Sequence, residues 1–354
     1  MKNLVLLGGG YGNMRVMQRL LPSALPEEYT ITLIDRIPFQ GLKTEYYALA
    51  AGTESDKDIR LEFPKDQRLN QTFGEITAID LDQQIVSVGD SQVDYDELII
   101  GLGCEDKYHN VPGADVYTYS IQTITQARKT YQAIADLPAG STVGIVGAGL
   151  SGIELASELR ESRADLKIKL FDRGERILPA FPEKLSKYVK KWFDKHQVEV
   201  IPKSNIVKVE PGKLYNNDDT HDVDICVWTA GIQPVEIVRS LPVEFGEGSR
   251  VRVNQYHQIP THPNVYVVGD CALLPHAPSA QLAEVQAEQI VDILKLQWAG
   301  QPLPDKMPDL KLQGFIGSLG DKEGFAYLMD RTVTGRIARI MKSGVLWLYK
   351  YHNG

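Results

Sequence analysis

Cysteine is scarce in this chain. Three cysteines in 354 residues, with no Cys-x-x-Cys, exclude a disulfide framework and a thioredoxin-like dithiol, and they fit a reducing compartment. Long hydrophobic runs are missing too. None reaches 18 residues, so no span of a bilayer is expected. The first residues enter a strand directly, without a leader pattern, which points to a cytoplasmic address. Positive charge is in deficit: 38 Lys and Arg face 46 Asp and Glu, a formal net charge of −8. That argues against a nucleic-acid partner.

What the chain does have is a 43% apolar fraction, enough for real cores, and glycine in telling places. Strands and helical stretches alternate from the first residue, which predicts an α/β protein with parallel sheets. LVLLGGGYGNMRV (4–16) reads as strand, glycine turn and helix, the helix over 11–21. ITLID (31–35) is the next strand, and VDYDELIIGLG (93–103) reads as a strand ending in glycines. The pattern then restarts. A helix is expected over 123–136, TVGIVGAGLSGIELASEL (142–159) repeats strand, turn and helix, and KIKLFD (167–172) follows as a strand. DICVWTAGI (224–232) closes this unit as DELIIGLG closed the first, so internal duplication is expected.

The glycines have specific duties. In the first fingerprint Gly8 permits a tight turn, and Gly10 admits a pyrophosphate whose charge meets the helix N-terminus. Asn13 occupies the third glycine position. Neighbouring Gly12 compensates in part, and looser helix–strand packing is expected there. Asp35 ends the following strand, where a carboxylate accepts ribose hydroxyls. The second fingerprint is complete at Gly147, Gly149 and Gly152, with Asp172 as its acid. A carboxylate there favours NADH over NADPH by repelling a 2′-phosphate. Arg173 and Arg176 are nearby positive charges, either attractive to that phosphate or simply solvated. A late strand, THPNVYVVGDCA (261–272), ends on Gly269-Asp270 in the style of the first half. The first domain is therefore expected to be discontinuous: 1–118 and 243–304 form one unit, 119–242 is inserted, and 305–354 is a C-terminal segment.

These three motifs, in this order, resemble the two-dinucleotide-binding-domain FAD/NAD(P) oxidoreductases. Several segments are similar to type II NADH dehydrogenases: FQGLKTEYYALAAGT (39–53), VPGA (111–114), VWTAGI (227–232), GDCA (269–272) and SAQLAEVQ (279–286). The likeness covers residues 1–305 well and the tail weakly, and it is nearest to the short NADH dehydrogenase-like branch, the YutJ type. It implies two Rossmann-like domains in a glutathione-reductase-like arrangement, with FAD and NADH as cofactors, no metal, and a homodimer. On the flavin side it implies contacts at Gly8, Gly10, Gly12, Asn13, Asp35, Arg36, Lys43, Thr44, Gly103, Gly269, Asp270, Ala280 and Gln281. Asp270 would hold a ribityl hydroxyl. On the nicotinamide side it implies Gly147, Gly149, Gly152, Glu154, Asp172 and Gly231.

The chemistry implied is hydride transfer from NADH to FAD, then electron transfer to a quinone without charge translocation. Glu154 and Lys43 would form an ion pair beside the flavin, and with Gln281 they are the catalytic candidates. Residues 39–53 hold no cysteine pair, which separates the chain from disulfide reductases. Cys104 and Cys271 each follow a glycine-containing turn and read either as small buried residues or as residues near the flavin. The family's quinone pattern, Ala-Gln-x-x-x-Gln, is kept at Ala280-Gln281 but broken at Val285. Gln286 follows one residue later, which turns its amide by about 100° around a helix. The acceptor therefore stays open between a quinone and a soluble partner such as a redox protein or dioxygen. A redox-sensing flavoprotein with little turnover is the third reading.

The last residues, 331–354, carry five Lys or Arg and no acid. Read as a helix, Ile337, Ile340, Met341, Val345 and Leu348 share a face, with Arg336, Arg339, Lys342 and Lys350 opposite. Trp347, Tyr349 and Tyr351 add aromatics. Such a segment lies on an anionic membrane surface, here the inner face of the cell membrane, or docks on its own domain or on a dimer partner.

Overall fold

The computed structural model describes residues 1–353, with side chains through 351. Gly354, the last residue of the expected tail segment, lies outside them. The strand Lys2–Leu7 is buried from Leu4 onward, as a central parallel strand covered on both faces must be. It pairs in parallel with Tyr29–Asp35 on one side and Glu97–Ile100 on the other. Leu69–Phe73 extends the sheet beyond Tyr29–Asp35. On the far edge His262–Val267 joins Glu97–Ile100 in parallel, and Gln258–Ile259 closes that edge antiparallel. One six-stranded sheet thus draws its strands from both ends of the sequence.

A second sheet repeats this plan. Its order is Val198–Ile201, Lys167–Phe171, Thr142–Val146, Ile225–Trp228, all parallel. The corresponding strands of the first sheet stand in the same order. Each half also carries a three-stranded antiparallel meander just before its last parallel strand. These are Ile76–Asp80, Ile85–Val88 and Ser91–Asp94 in one, and Ile206–Glu210, Lys213–Asn216 and Asp219–Asp222 in the other. The duplication expected from the two fingerprints extends to these insertions, whose short strands are mostly half-exposed and carry a weak period-2 signal.

Two expected strands are broken in the structure. The stretch 93–103 divides between the meander strand Ser91–Asp94 and the sheet strand Glu97–Ile100. At the break, Asp96 accepts a hydrogen bond from the Asn3 backbone at 2.7 Å. The stretch 224–232 divides into Ile225–Trp228 and Ile232–Pro234. Gly231, with φ +119°, makes the bend between those two strands. Ile232–Pro234 pairs antiparallel with Cys104–Asp106, a short ribbon between the two halves.

The helix Ala280–Trp298 packs along Tyr11–Leu20. Arg15 meets Glu284 at 2.6 Å and Arg19 meets Glu288 at 2.7 Å across that seam. The C-terminal segment is a three-stranded antiparallel sheet, Gly314–Leu319, Glu323–Leu328 and Arg331–Thr334, followed by the tail helix Arg336–Asn353. The first residues of the expected helix are therefore a strand. Gly335 (φ +78°) separates the two, and its backbone exchanges hydrogen bonds with Gly324. Among the described residues no helix is long and apolar enough to cross a membrane.

Candidate functional site

Both glycine fingerprints build the same cradle. Gly8 and Gly147 lie at φ +86° and +107°. A Cβ would stand 2.6 Å from the Gly101 carbonyl oxygen in the first case and 2.7 Å from that of Thr229 in the second. The helices that follow start at Gly10 (φ −77°, ψ −173°) and Gly149 (φ −74°, ψ −172°), and neither start has a capping side chain. Their first N–H groups are thus left for an anion. A Cβ on Gly149 would meet nothing within 4 Å, so space for a phosphate lies directly beside it.

The acids match as closely. Asp35 Oδ2 accepts from the Gly9 backbone at 2.5 Å and Oδ1 from Ile37 at 3.0 Å. Asp172 Oδ2 accepts from Ala148 at 2.7 Å and Oδ1 from Gly174 at 2.8 Å. Each carboxylate is fixed at a strand end by two backbone donors and keeps lone pairs for ribose hydroxyls. A cavity of 450 Å³ opens at the C-terminal ends of the second sheet, lined by Gly147, Gly149, Asp172, Arg173, Thr229 and Gly231 among others. This is where open α/β sheets bind ligands. Of the two nearby arginines, Arg173 lines the cavity, while Arg176 is committed to the carbonyls of Leu178, Pro179 and Phe181.

Asn13 is a third-position residue with a structural task. Buried at 1% exposure, its amide donates to the Leu7 carbonyl at 2.9 Å and the Gly8 carbonyl at 2.8 Å. Gly12, not Asn13, makes the close approach, since a Cβ there would be 2.7 Å from the Val268 side chain. The expected looseness does not occur, because the asparagine amide bonds the turn that a third glycine would merely approach.

The first cradle gathers the remaining flavin-side candidates. Tyr11, just after Gly10, hydrogen-bonds Thr44 Oγ1 at 3.0 Å, and its ring lies 5.2 Å from that of Tyr349 in the tail helix. Gly269 donates its N–H to Gln286 Oε1 at 2.8 Å, and Gln286 Nε2 donates to the Val267 carbonyl at 2.8 Å. Gln286 is buried and positions the Gly269-Asp270 turn. Gln281 sits half-exposed one helical turn earlier and accepts from the Gln313 backbone at 3.2 Å. Arg36 is exposed. Gly103 is open, with nothing within 4 Å of an added Cβ.

The expected Lys43–Glu154 ion pair does not form. Lys43 donates to Cys104 Sγ at 2.9 Å and lies 3.7 Å from Asp270 Oδ2, while Cys104 donates to that same oxygen at 3.0 Å. Burial pushes the Cys104 thiol up to about 12, against the lowering effect of Lys43, so it stays protonated and can donate. Burial opposes charge on Lys43, but Cys104 and Asp270 together hold its pKa above the ordinary lysine value. Cys104 is a buried residue as expected, yet one wired into the polar cluster.

Glu154 is satisfied from elsewhere. It is buried at 5% exposure, and Lys342 of the tail helix, at 8%, donates to its Oε1. Lys342 also donates to the Tyr47 hydroxyl and stands 3.8 Å from Glu45 Oε1. The Ser318 backbone donates to Glu154 at 3.0 Å, and the Ser318 hydroxyl donates to Tyr47 at 3.0 Å. Burial raises the Glu45 carboxyl, against the pull of Lys342. The placement of Lys342 on a solvated polar face is thus overturned. Ala338, Lys342, Leu346 and Tyr349 recur at helical spacing on a second, inward face. That pattern was available in the sequence as a clue. Tyr47, Ser318 and Glu45 left no comparable signal.

A model of the pyridine nucleotide-disulphide oxidoreductases matches residues 2–289. The chain belongs to that family. It is an NADH-dependent flavin oxidoreductase, and the expectation of FAD and NADH stands on that membership together with the two cradles. Over its whole length it is 61% identical to the NADH dehydrogenase-like protein YutJ of Bacillus subtilis, all of which is covered. It is 25% identical to a type II NADH:quinone oxidoreductase of Staphylococcus haemolyticus, over 96% of this chain and 93% of that one. Among solved structures, NDH2 of Plasmodium falciparum in complex with NADH superposes with a TM-score of 0.86 at 17% identity, covering 99% of this chain and 96% of that chain. The sulfide:quinone oxidoreductase of Aquifex aeolicus gives 0.82 at 20%, covering 100% and 92%. At such identities these structures establish the fold alone.

Proposed function

We propose that the chain oxidises NADH through bound FAD and passes the electrons to a quinone at a membrane surface. The observation that carries this reading is the buried Glu154–Lys342–Tyr47 contact. It ties the helix of the second cradle, the 43–51 segment beside the first, and the tail helix into one unit. FAD would lie on the 1–118 and 243–304 portions, against Gly10, Asp35, Thr44 and Asp270. NADH would lie on 119–242, against Gly149, Asp172 and Gly231. When bound, the flavin supplies hydride acceptance and onward electron transfer. The chain would orient the two dinucleotides, and Lys43 would lend positive charge to a reduced flavin. Glu154, held by Lys342 and Ser318, fixes the helix of the second cradle against the first half and the tail helix.

The membrane reading rests on the outward side of the tail helix. Ile340, Trp347 and Tyr351 are 70%, 61% and 70% exposed, and with Ile337 and Leu348 they form an outward apolar strip in which the Trp347 and Tyr351 rings stack at 5.3 Å. A specific observation favours a soluble acceptor instead. Gln286 is buried as the prop of Gly269, so the pair of glutamines in the quinone pattern is not presented. The test is NADH oxidation by the purified yellow protein with menaquinone, with a soluble dye, and with dioxygen alone. Quinone reduction at rates matching the dye supports the proposal. Dye reduction without quinone reduction transfers it to the soluble acceptor, and flavin reduction without turnover to a sensing role.

A further inference from the structure

Asp106 lies on the ribbon Cys104–Asp106, one alternation beyond Cys104 and therefore on the same face. It is 4% exposed, and among the described residues both of its carboxyl oxygens are buried without a hydrogen bond of normal geometry, the Ser120 hydroxyl lying just near enough to favour its charge. Buried carboxylates are normally paired, so burial here disfavours the charged form. Its backbone neighbour across the ribbon is Ile232, next to the cavity-lining Gly231. The groups facing it are few. Lys43 and the Ser120 hydroxyl favour its charged form and Glu105 disfavours it, while Glu105 is itself paired to Arg239 at 2.5 Å. Tyr108 is also within electrostatic reach. Through Lys43 and Cys104 the cluster continues to Asp270.

We propose that Asp106 is a redox-linked proton acceptor for this flavoprotein, binding a proton when negative charge arrives beside Lys43 and releasing it when that charge leaves. The balance is simple. Hydride from NADH brings two electrons and one proton, leaving one negative charge at the site. A proton from solvent forms an O–H bond on an Asp106 oxygen and neutralises it. When the acceptor takes the two electrons, that O–H bond breaks, and its proton and the one the hydride brought depart with the electrons or return to solvent. Burial already pushes the Asp106 carboxyl up to about 6, so one added charge nearby carries it through neutrality. The inference rests on the placement of FAD against Lys43 and Asp270.

The test uses the holoenzyme and its Asp106→Asn variant. Proton uptake is followed with a pH indicator during anaerobic reduction by stoichiometric NADH between pH 6 and 8, alongside the flavin midpoint potential. The wild type is expected to take up as much as one proton per flavin more than the variant. Its potential should fall more steeply with pH, by about 30 mV per unit, one extra tenfold factor for a two-electron couple. Equal uptake and equal slopes with flavin bound in both would overturn the proposal. Independently of any variant, the wild-type reduced-minus-oxidised infrared spectrum must gain a protonated-carboxyl band, and its absence also overturns it. A purified protein without flavin absorbance overturns the placement of FAD and this inference with it.

Discussion

Lys342 closes on Glu154 from the far end of the chain, so the tail helix completes a buried polar cluster begun by the second glycine fingerprint. The ammonium is shared with Tyr47 and faces Glu45 at 3.8 Å. Lys342→Met leaves two buried carboxyl groups without their cation, a loss of roughly 3–5 kcal/mol for a broken buried pair. In the double variant Glu154→Gln, Lys342→Met part of that stability should return, because one of the two uncompensated carboxyl groups is then gone while Glu45 remains. Urea unfolding of the four proteins checks this. A double-variant loss equal to the sum of the two single-variant losses would show the two residues to be uncoupled.

The two cradles are alike in backbone but unlike in tolerance. A Cβ on Gly152 would be 1.9 Å from the Gly147 carbonyl oxygen, whereas a Cβ on Gly12 would be 2.7 Å from a Val268 methyl. Backbone must move in the first case; a side-chain end gives way in the second. Gly152→Ala should therefore weaken NADH binding more than tenfold, about 1.4 kcal/mol or more, with flavin retained. Gly12→Ala should cost roughly 1–3 kcal/mol of stability and leave NADH affinity unchanged. Calorimetric titration with NADH and thermal melts separate the two outcomes.

The strand–turn–helix units were legible in the sequence because their signals are local. Apolar runs, glycines and strand-end acids recur at short spacing, and each sits where expected. The Glu154 partner was not legible, since Lys43 and Lys342 are equally good cations and only packing chooses between them. The inward stripe of Ala338, Leu346 and Tyr349 around Lys342 was the available clue, masked by the stronger outward apolar stripe. Asp106 gave no sign either. One carboxylate in a short ribbon looks like any other until the burial of both its oxygens is seen. Gln286 illustrates the reverse case: its shift from the family pattern was visible, but its role as a prop for Gly269 emerges only from the fold.

Asp106 also has a consequence for stability. Its folded-state pKa is raised to about 6 from 3.8, chiefly by burial. The stabilising contribution of the protonated form is fully present below pH 3.8 and lost as pH rises through 6. At neutral pH the buried charge therefore costs an amount of order 3 kcal/mol, taken as an upper bound. Asp106→Asn should stabilise the protein at pH 7.5, and its advantage should shrink steadily as pH falls from 6 toward 4. Chemical denaturation across that range is the measurement. A pH-independent effect of the substitution would mean that Asp106 does not titrate in this window.

Asp172 faces the cavity beside Arg173, while Arg176 is spent on loop carbonyls. Removing the carboxylate takes away repulsion of a 2′-phosphate and leaves one arginine to attract it. Asp172→Ala should lower kcat/KM for NADH by about tenfold and raise that for NADPH. A specificity ratio unchanged in steady-state assays with both nucleotides would place the ribose elsewhere.

Deleting residues 331–354 is a poor test of membrane contact, because it removes Lys342 and strips Glu154 of its partner. The outward strip can be changed without touching the inward one. Ile340 and Trp347 project away from the body, 70% and 61% exposed, while Ala338 and Lys342 hold the helix in place. If the strip enters a bilayer interface, each large side chain contributes up to roughly 1.5–3 kcal/mol of apolar burial. Ile340→Glu with Trp347→Ser should then reduce partitioning onto anionic vesicles at least tenfold. NADH oxidation with a soluble dye should stay at the wild-type rate, since neither residue touches Glu154, Lys342 or the cradles. Vesicle co-sedimentation at low and high salt also separates the two sources of attraction. Binding lost only at high salt would assign it to Arg336, Arg339 and Lys350, and binding unaffected by the double substitution would remove the apolar strip from the membrane altogether.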